Sequence, residues 1–192
     1  MPIETEIKLK VDHLAPVRDR LKQVGGKRVG EVMETNIFFD TPDRALLASD
    51  CGLRVRCSRD LAAHGSAGCE KLVLTYKGPR GEGDVKRREE IEVGVDSIDA
   101  ATAVLDRLGY VRMLTFEKRR ESWILDDSKV ELDQLPHLGS YVEIECPDPD
   151  DIPPIRGKLG LSHVKAIEQT YADLVAHHLS DRGHRDEDSL TF

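Results

Sequence analysis

Charged and apolar residues alternate at the start of the chain, and the same alternation recurs in several later segments. In the first of these, Glu4, Glu6 and Lys8 alternate with Thr5 and Ile7. Successive side chains of a β-strand point to opposite faces of the sheet, so the two carboxylates and the ammonium group fall on one face. The pattern therefore predicts strands with one ionic face. Such a face suits a hard divalent cation and a polyanion bound to it.

A few segments between the strands have helical spacing. Asp12 is the expected N-cap of a helix that ends at Gly25-Gly26, and a last amphipathic helix is expected over about 164–179. Residues 147–154 are rich in proline and aspartate and are expected to form a linker. The many strands and few helices predict an α+β fold. We expect one domain over residues 1–180 and a polar, frayed C-terminal tail over 181–192.

Two parts of the chain resemble each other. Residues 6–12 align with residues 90–96, and at the same offset Gly25 meets Gly109. Each unit reads as a strand, a capped helix, a glycine stop and further strands. An internal duplication and a chance similarity are both open at this stage.

Composition limits the class of protein. The 192 residues fit one domain, and the net charge of −8 argues against a general nucleic-acid surface, which needs a basic excess. The four cysteines show no CxxC pair, so a zinc site is not expected. With no secretory leader and no apolar run of membrane-spanning length, the expectation is a cytoplasmic protein with reduced thiols and no membrane contact.

The ionic faces of the strands favour a ligand of mixed charge. Positive side chains come mainly from the middle strands, and carboxylates, including Glu131, come mainly from the first strand and the last pair. For any single strand, an ordinary sheet with one solvent-exposed face explains the alternating pattern. A sheet of this many strands tends to curl, however, and an ionic lumen is costly unless a ligand completes its charge pairing. A triphosphate with Mg²⁺ or Mn²⁺ meets that need.

At Glu4-x-Glu6-x-Lys8 the sequence resembles the CYTH family, also called triphosphate tunnel metalloenzymes. Its members include class IV adenylate cyclases, thiamine triphosphatases and inorganic triphosphatases. Further segments resemble the family in the same order: Phe38-Phe39-Asp40-Thr41-Pro42, Leu53-Arg54-Val55-Arg56, Leu74 to Pro79, Arg88-Glu89-Glu90, Glu117 to Arg120, Leu132-Asp133, Leu138 to Glu145, and Tyr171 to Leu174. The likeness covers most of the chain.

The resemblance implies a closed antiparallel β-barrel of about eight strands, with the ionic face inside and helices packed outside. It implies triphosphate binding by seven residues: Lys8, Arg54, Arg56, Lys77, Arg88, Lys118 and Arg120. It implies metal binding by Glu4, Glu6, Asp133, Glu143 and Glu145, with Glu90 nearby. The expected catalytic residues are Lys77, Glu4 and Glu6, where Lys77 or a metal-bound water beside the two glutamates activates the nucleophile.

Two reactions share such a site. Attack by water on the terminal phosphorus makes a triphosphatase, which is the favoured interpretation. Attack by the ribose 3′-hydroxyl of ATP makes an adenylate cyclase. A polyphosphate- or nucleotide-binding module without turnover is the alternative from another class. The expected partner is a small-molecule triphosphate, and a homodimer is left open.

Several other residues are expected to have no direct role in the site. Arg87, Glu89 and Arg119 have the parity of the outer face, and Trp123 is expected in the core beneath a helix. Residues 82–88 either form a lid over the tunnel mouth or a plain hairpin turn.

Overall fold

The computed structural model describes residues 3–62, 71–81, 86–182 and 189–192. The strands are β1 (Ile3–Val11), β2 (Lys27–Asp40), β3 (Gly52–Asp60), β4 (Lys71–Lys77), β5 (Lys86–Gly94), β6 (Val111–Leu125), β7 (Ser128–Leu135), β8 (Gly139–Glu145) and β9 (Ser189–Leu190). The helices are α1 (Leu14–Gln23), α2 (Ala45–Ala48), α3 (Ile98–Arg107), α4 (Ile152–Lys158) and α5 (Tyr171–Asp181).

Strands β1 to β8 form a closed antiparallel barrel. The hydrogen-bonded order is β2-β3-β4-β5-β1-β8-β7-β6, and pairing between β2 and β6 closes the ring. The short β9 adds to β6 in parallel. The predicted α+β barrel of about eight strands is confirmed. Closure leaves an inside and an outside, so the parity of each strand residue decides whether its side chain reaches the lumen.

Helices α1, α3 and α4 pack on the outside of the barrel. Val17 of α1 and Ile155 of α4 share an apolar cluster with Trp123, which is 3% exposed, as expected for a core residue. Leu105 of α3 packs against Ile37 in a second cluster. Burial of these apolar side chains supplies the main driving force that holds the helices on the strands.

Helix α5 differs from the other helices in its position. Its residues Val175 and Leu179 pack with Leu114 and Phe116 of β6. These β6 residues have the same parity as Lys118, so they face the lumen. Helix α5 therefore closes one end of the barrel from within.

The repeat seen in the sequence is also present in the structure. Helix α1 spans residues 14–23 and α3 spans residues 98–107, an offset of 84 residues. The same offset brings the start of β2 at residue 27 to the start of β6 at residue 111, and these two strands pair with each other. Gly25 and Gly109, which follow the two helices, both have positive φ, as a helix-ending glycine requires.

Local boundaries depart from the sequence expectations in several places. The N-cap of α1 is His13 and not Asp12, and its side chain makes no capping bond. Residues 152–154 of the expected linker belong instead to helix α4, because prolines are tolerated in the first turn of a helix. Helix α5 begins only at Tyr171, since Thr170 and Asp173 form a capping box there.

The end of the chain is more ordered than a frayed tail. Leu190 of β9 is buried against the α5 cluster, so the expected fraying is wrong for this part of the tail. Cys57 is disulfide-bonded, so the expectation of reduced thiols is also wrong there. Residues 82–85, which belong to the proposed lid, lie outside the described residues. No helix within the described ranges is long and apolar enough to cross a membrane.

Candidate active site

A cavity of about 410 Å³ occupies the lumen. All seven cationic residues that the sequence predicts for triphosphate binding line it: Lys8, Arg54, Arg56, Lys77, Arg88, Lys118 and Arg120. They come from β1, β3, β4, β5 and β6, because each of these strands presents alternate residues inward. Arg119, which has the opposite parity to Arg120, is exposed on the outside, and Arg87 is exposed as well.

Carboxylates line the same cavity. Four of the predicted metal ligands are among them, namely Glu4, Glu6, Glu143 and Glu145. Glu131 of β7 also lines the cavity and lies directly opposite Glu143 in the strand pairing. The resemblance carried over Asp133 but not Glu131, although the two residues have the same parity. Strand parity was therefore the signal that identifies Glu131 as part of the site.

Lys77 lies between two carboxylates. Its Nζ is 2.5 Å from Glu4 Oε2 and 2.9 Å from Glu90 Oε2. Glu90 stands opposite Lys77 in the pairing of β4 with β5, but it does not line the cavity. Glu90 therefore holds Lys77 beside Glu4, and its role as a metal ligand stays a prediction.

Asp133 is the centre of a buried ionic cluster. Its side chain is fully buried and accepts hydrogen bonds from Lys118 at 3.1 Å and from Arg120 at 2.6 and 2.7 Å. Arg120 also pairs with Glu143, which lies 3.3 Å from Lys8. Asp133 does not line the cavity, so here it positions two cations, and its predicted metal contact is untested.

Glu34 of β2 is a lumen residue that the sequence did not single out. Its carboxylate is 2.9 Å from Arg56 and 3.5 Å from Lys118. Burial alone would raise the pKa of Glu34, but Lys118 and Arg56 outweigh burial and hold the pKa well below 4.5. Its partners Arg56 and Lys118 lie on other strands, distant in the sequence, so these contacts could not be predicted from composition.

Three of the guanidinium groups that line the cavity retain unused donors. The Nε atoms of Arg54, Arg56 and Arg88 are buried and have no acceptor among the described residues. Burial and the neighbouring charge of Arg56 lower the pKa of Arg54 to about 10. Crowded cations with spare donors favour an anion, since an anion supplies both charge and acceptors.

The two carboxylates of the first strand are easier to protonate than usual. Burial raises the pKa of Glu4, and Lys77 partly offsets this effect. Burial also raises the pKa of Glu6, and the carboxylates of Glu143 and Glu4 raise it further. Neighbouring carboxylates raise one another's pKa. A divalent cation bound between them would stabilise their ionised forms, so the pair suits such a cation.

The chemistry of the donor set fits a hard cation, although the side chains here are turned towards lysine and arginine. Within residues 3–62, 71–81, 86–182 and 189–192, no three Asp, Glu, His or Cys side chains converge enough to hold a metal ion. The buried Oε2 of Glu131 has no hydrogen-bond partner in that part of the chain, and burial raises the pKa of this residue. Glu145 contacts Lys129 at the more exposed end of the barrel.

Comparisons with known proteins identify a family and several relatives of this chain. The CYTH domain model matches residues 2–171. A Methanocaldococcus jannaschii protein provisionally named an adenylate cyclase is 30% identical over 143 residues, which cover 74% of this chain and 76% of that protein. A thiamine-triphosphatase of Macaca fascicularis is 30% identical over 111 residues, which cover 56% of this chain and 48% of that protein.

A solved structure is also similar. The chain superimposes on a Pyrococcus horikoshii protein with a TM-score of 0.76 and 26% identity, over 91% of this chain and 99% of that one. The family match spans most of the residues that form the barrel, including every lumen residue described above. The chain belongs to the CYTH domain family.

Proposed function

We propose that this protein hydrolyses a triphosphate substrate with the help of Mg²⁺ or Mn²⁺. The observation that carries the proposal is a cavity in the lumen that is lined by all seven predicted cationic side chains and by carboxylates. The relative named thiamine-triphosphatase supports it. A site for an anion alone would need the cations but few acids, so the carboxylates argue against a binding module without turnover.

The cations bind the triphosphate chain and offset its charge. Arg54, Arg56 and Arg88 have spare guanidinium donors, and arginine can contact two phosphate oxygens at once. Lys8 and Lys118 are nearly buried and supply point charges deeper in the barrel. Fixed cations of this kind stabilise the charge that develops on phosphoryl oxygens during transfer.

The carboxylates would hold the cation. Glu4, Glu6, Glu131 and Glu143 line the cavity, with Glu145 at its more exposed end. When bound, a divalent cation would polarise a phosphoryl oxygen and make water more acidic. A triphosphate competes for Lys8, Lys77 and Arg120, which now contact these acids, and so releases carboxylate oxygens.

Proton transfer is assigned to Glu6 of β1 and Lys77 of β4. Glu6 lines the cavity two residues from Glu4, and its carboxylate would accept the proton of the attacking water as the bond to phosphorus forms. Lys77 holds Glu4 at 2.5 Å and is placed to donate to the departing phosphate oxygen. Both assignments follow from the position of these groups at one side of the cavity.

Adenylate cyclase activity is the second candidate. The Methanocaldococcus jannaschii relative named for this activity is similar over three quarters of both chains. The same cations would then bind ATP while its 3′-hydroxyl attacks the α-phosphorus, releasing pyrophosphate.

The test measures phosphate release from tripolyphosphate, ATP and thiamine triphosphate with Mg²⁺ or Mn²⁺, and cyclic AMP in parallel. Glu6→Gln and Arg56→Ala are expected to abolish turnover while the fold remains intact by circular dichroism. Matched controls are Glu117→Gln and Arg119→Ala, which lie on the outer face of β6 and should retain wild-type rates. Unchanged rates in both lumen variants would reject this site.

A further inference from the structure

The two repeated halves of the barrel differ in how their outer faces are covered. The offset of 84 residues that relates α1 to α3 also relates Ile7 and Leu9 of β1 to Ile91 and Val93 of β5. Ile7 and Leu9 are 3% and 0% exposed, because they share an apolar cluster with α1 and α4. Ile91 and Val93 are 48% and 54% exposed, and they belong to none of the apolar clusters of the described residues. The second half of the barrel thus exposes the strand face that the first half covers.

The ends of the two repeated helices differ in the same way. Arg20 of α1 donates from Nε to the backbone oxygen of Lys158 at the end of α4, at 2.7 Å. Val24, one turn further along the same side, packs against the cluster that α1 and α4 share. The residues at the same offset in the second half are Val104 of α3 and its C-cap Leu108, which are 59% and 68% exposed. The side of the helix that contacts α4 in the first half is therefore apolar and exposed in the second half.

These exposed residues form one apolar groove on the outside of the barrel. Its floor is Ile91 and Val93 of β5, and its wall is Val104 and Leu108 at the end of α3. Leu74 of β4 connects floor and wall, since it lies opposite Val93 in the strand pairing and packs against the apolar cluster of α3. From their exposed fractions, the four groove residues present about 400 Å² of mostly apolar surface, and a patch of this size often marks a binding surface.

A helix is the element that fits this groove, because α4 takes the equivalent place in the first half. The exposed side of α3 has the properties that such a helix needs. It carries the small side chains of Ala100 and Ala103 next to Val104, and small side chains let a helix approach its neighbour closely. Asp99 and Asp106 lie roughly 150° around the helix from Val104, so neither carboxylate enters the contact. The helix α3 of a second copy of this chain therefore suits the groove.

We propose that the groove is the interface of a homodimer, in which α3 of each copy lies over β5 of the other copy. Each chain carries both the groove and the helix that fills it, so a twofold axis fills both grooves at once. The apolar patch of about 400 Å² is half of the roughly 800 Å² that each partner buries in a standard interface, and a polar rim supplies the rest of such an interface. This interface lies outside the lumen and does not depend on the proposed activity.

Sedimentation velocity of the full chain over about a hundredfold range of concentration measures the dimer. The wild type is expected to dimerise with a dissociation constant in the micromolar range or below. Val104→Lys and Val104→Glu each bring two like charges to the contact, so each variant should weaken the dimer at least about tenfold. Val29→Lys is the matched control and should dimerise like the wild type, because Val29 is 66% exposed on β2, outside the groove. Circular dichroism verifies that each variant is folded.

An equimolar mixture of the Val104→Lys and Val104→Glu proteins should regain the dimer, because the two α3 helices then carry opposite charges at the contact. A wild type that stays monomeric would overturn the proposal and leave the groove to a helix of another protein. A dimer that Val104→Lys does not weaken would place the interface elsewhere and would overturn the proposal as well. A mixture that stays monomeric would show that the two α3 helices do not face each other, which contradicts the proposed arrangement.

Discussion

The phenol of Tyr171 donates a hydrogen bond of 2.8 Å to Asp133, deep inside the barrel. The ring of the same tyrosine lies 3.8 Å from Lys8 Nζ and 4.7 Å from Lys118 Nζ. Burial and the nearby Asp133 and Glu143 carboxylates raise the pKa of Tyr171, so the phenol keeps its proton and remains a donor. The first residue of α5 thus orients two lysines and the aspartate that holds Arg120.

Tyr171→Phe and Tyr171→Leu separate the two roles of this residue. Phenylalanine keeps the ring between the lysines and loses one hydrogen bond, which should cost about 1 kcal/mol of unfolding free energy. Leucine removes the ring, so the KM for the triphosphate should rise about tenfold more than in the phenylalanine variant. Steady-state kinetics and chemical unfolding provide the two measurements. Equal KM values in both variants would show that the ring does not position the lysines.

Removing the Glu34 carboxylate should destabilise the protein without ligand. Glu34→Gln leaves Arg56 and Lys118 less well paired, and we expect a loss of about 3 kcal/mol in unfolding free energy at neutral pH. Tripolyphosphate should raise the melting temperature of this variant more than that of the wild type, because the phosphates replace the missing charge. Equal shifts in the two proteins would contradict this account.

The contribution of Glu34 to stability also has a defined pH dependence. Its folded-state pKa lies well below 4.5, so the stabilisation is fully present above that value. It is lost progressively as the pH falls below 4.5 towards the folded-state pKa. The difference in stability between wild type and Glu34→Gln should therefore shrink on acidification, as urea unfolding at a series of pH values can measure.

Metal binding should weaken on acidification. The pKa values of Glu4 and Glu6 are raised above 4.5, so protons compete with the cation in the window above pH 4.5. The apparent Mn²⁺ affinity should fall by up to about tenfold for each pH unit and displaced proton. Glu6→Gln should show a shallower dependence by calorimetry. An affinity that does not change with pH would exclude these carboxylates as ligands.

Glu131→Gln should reduce the affinity for Mn²⁺ at least about tenfold, because it replaces a cavity-lining carboxylate whose Oε2 is buried without a partner. The fold should be retained, since glutamine avoids a buried charge. Glu117→Gln, on the outer face of β6, is the matched control and should bind Mn²⁺ like the wild type. An identical affinity in the Glu131 variant would remove it from the metal site.

Most of the site could be predicted from strand parity, that is, from which alternate residues of each strand face the lumen. It separated Arg120, which lines the lumen, from Arg119, which is exposed. Parity did not distinguish Glu131 from Asp133, because both face inward. Their difference comes from Tyr171, which approaches Asp133 from a helix far along the chain. Such a contact depends on the closed fold and is not visible in the local pattern.

The start of α5 shows a second limit. Residues 164–170 have apolar residues at helical spacing, but Ile167 donates its backbone N–H to Lys8 of β1, and Ala166 bridges Leu9. Pairing with the barrel therefore outweighs the local helical pattern until the capping box at Thr170 begins the helix. The positions of Asn36 and Phe38 in the cavity lining were not predicted, because neither side chain carries a charge in the alternating pattern.

The lumen cations are expected to bind a triphosphate beside a metal ion held by the carboxylates of the first strand. A crystal structure with Mn²⁺ and a non-hydrolysable imido analogue of tripolyphosphate tests it most directly. We predict phosphate oxygens within hydrogen-bond distance of Arg54, Arg56 and Lys118, and an anomalous manganese peak at Glu4 and Glu6. An analogue bound outside the barrel, or manganese remote from both glutamates, would contradict the account.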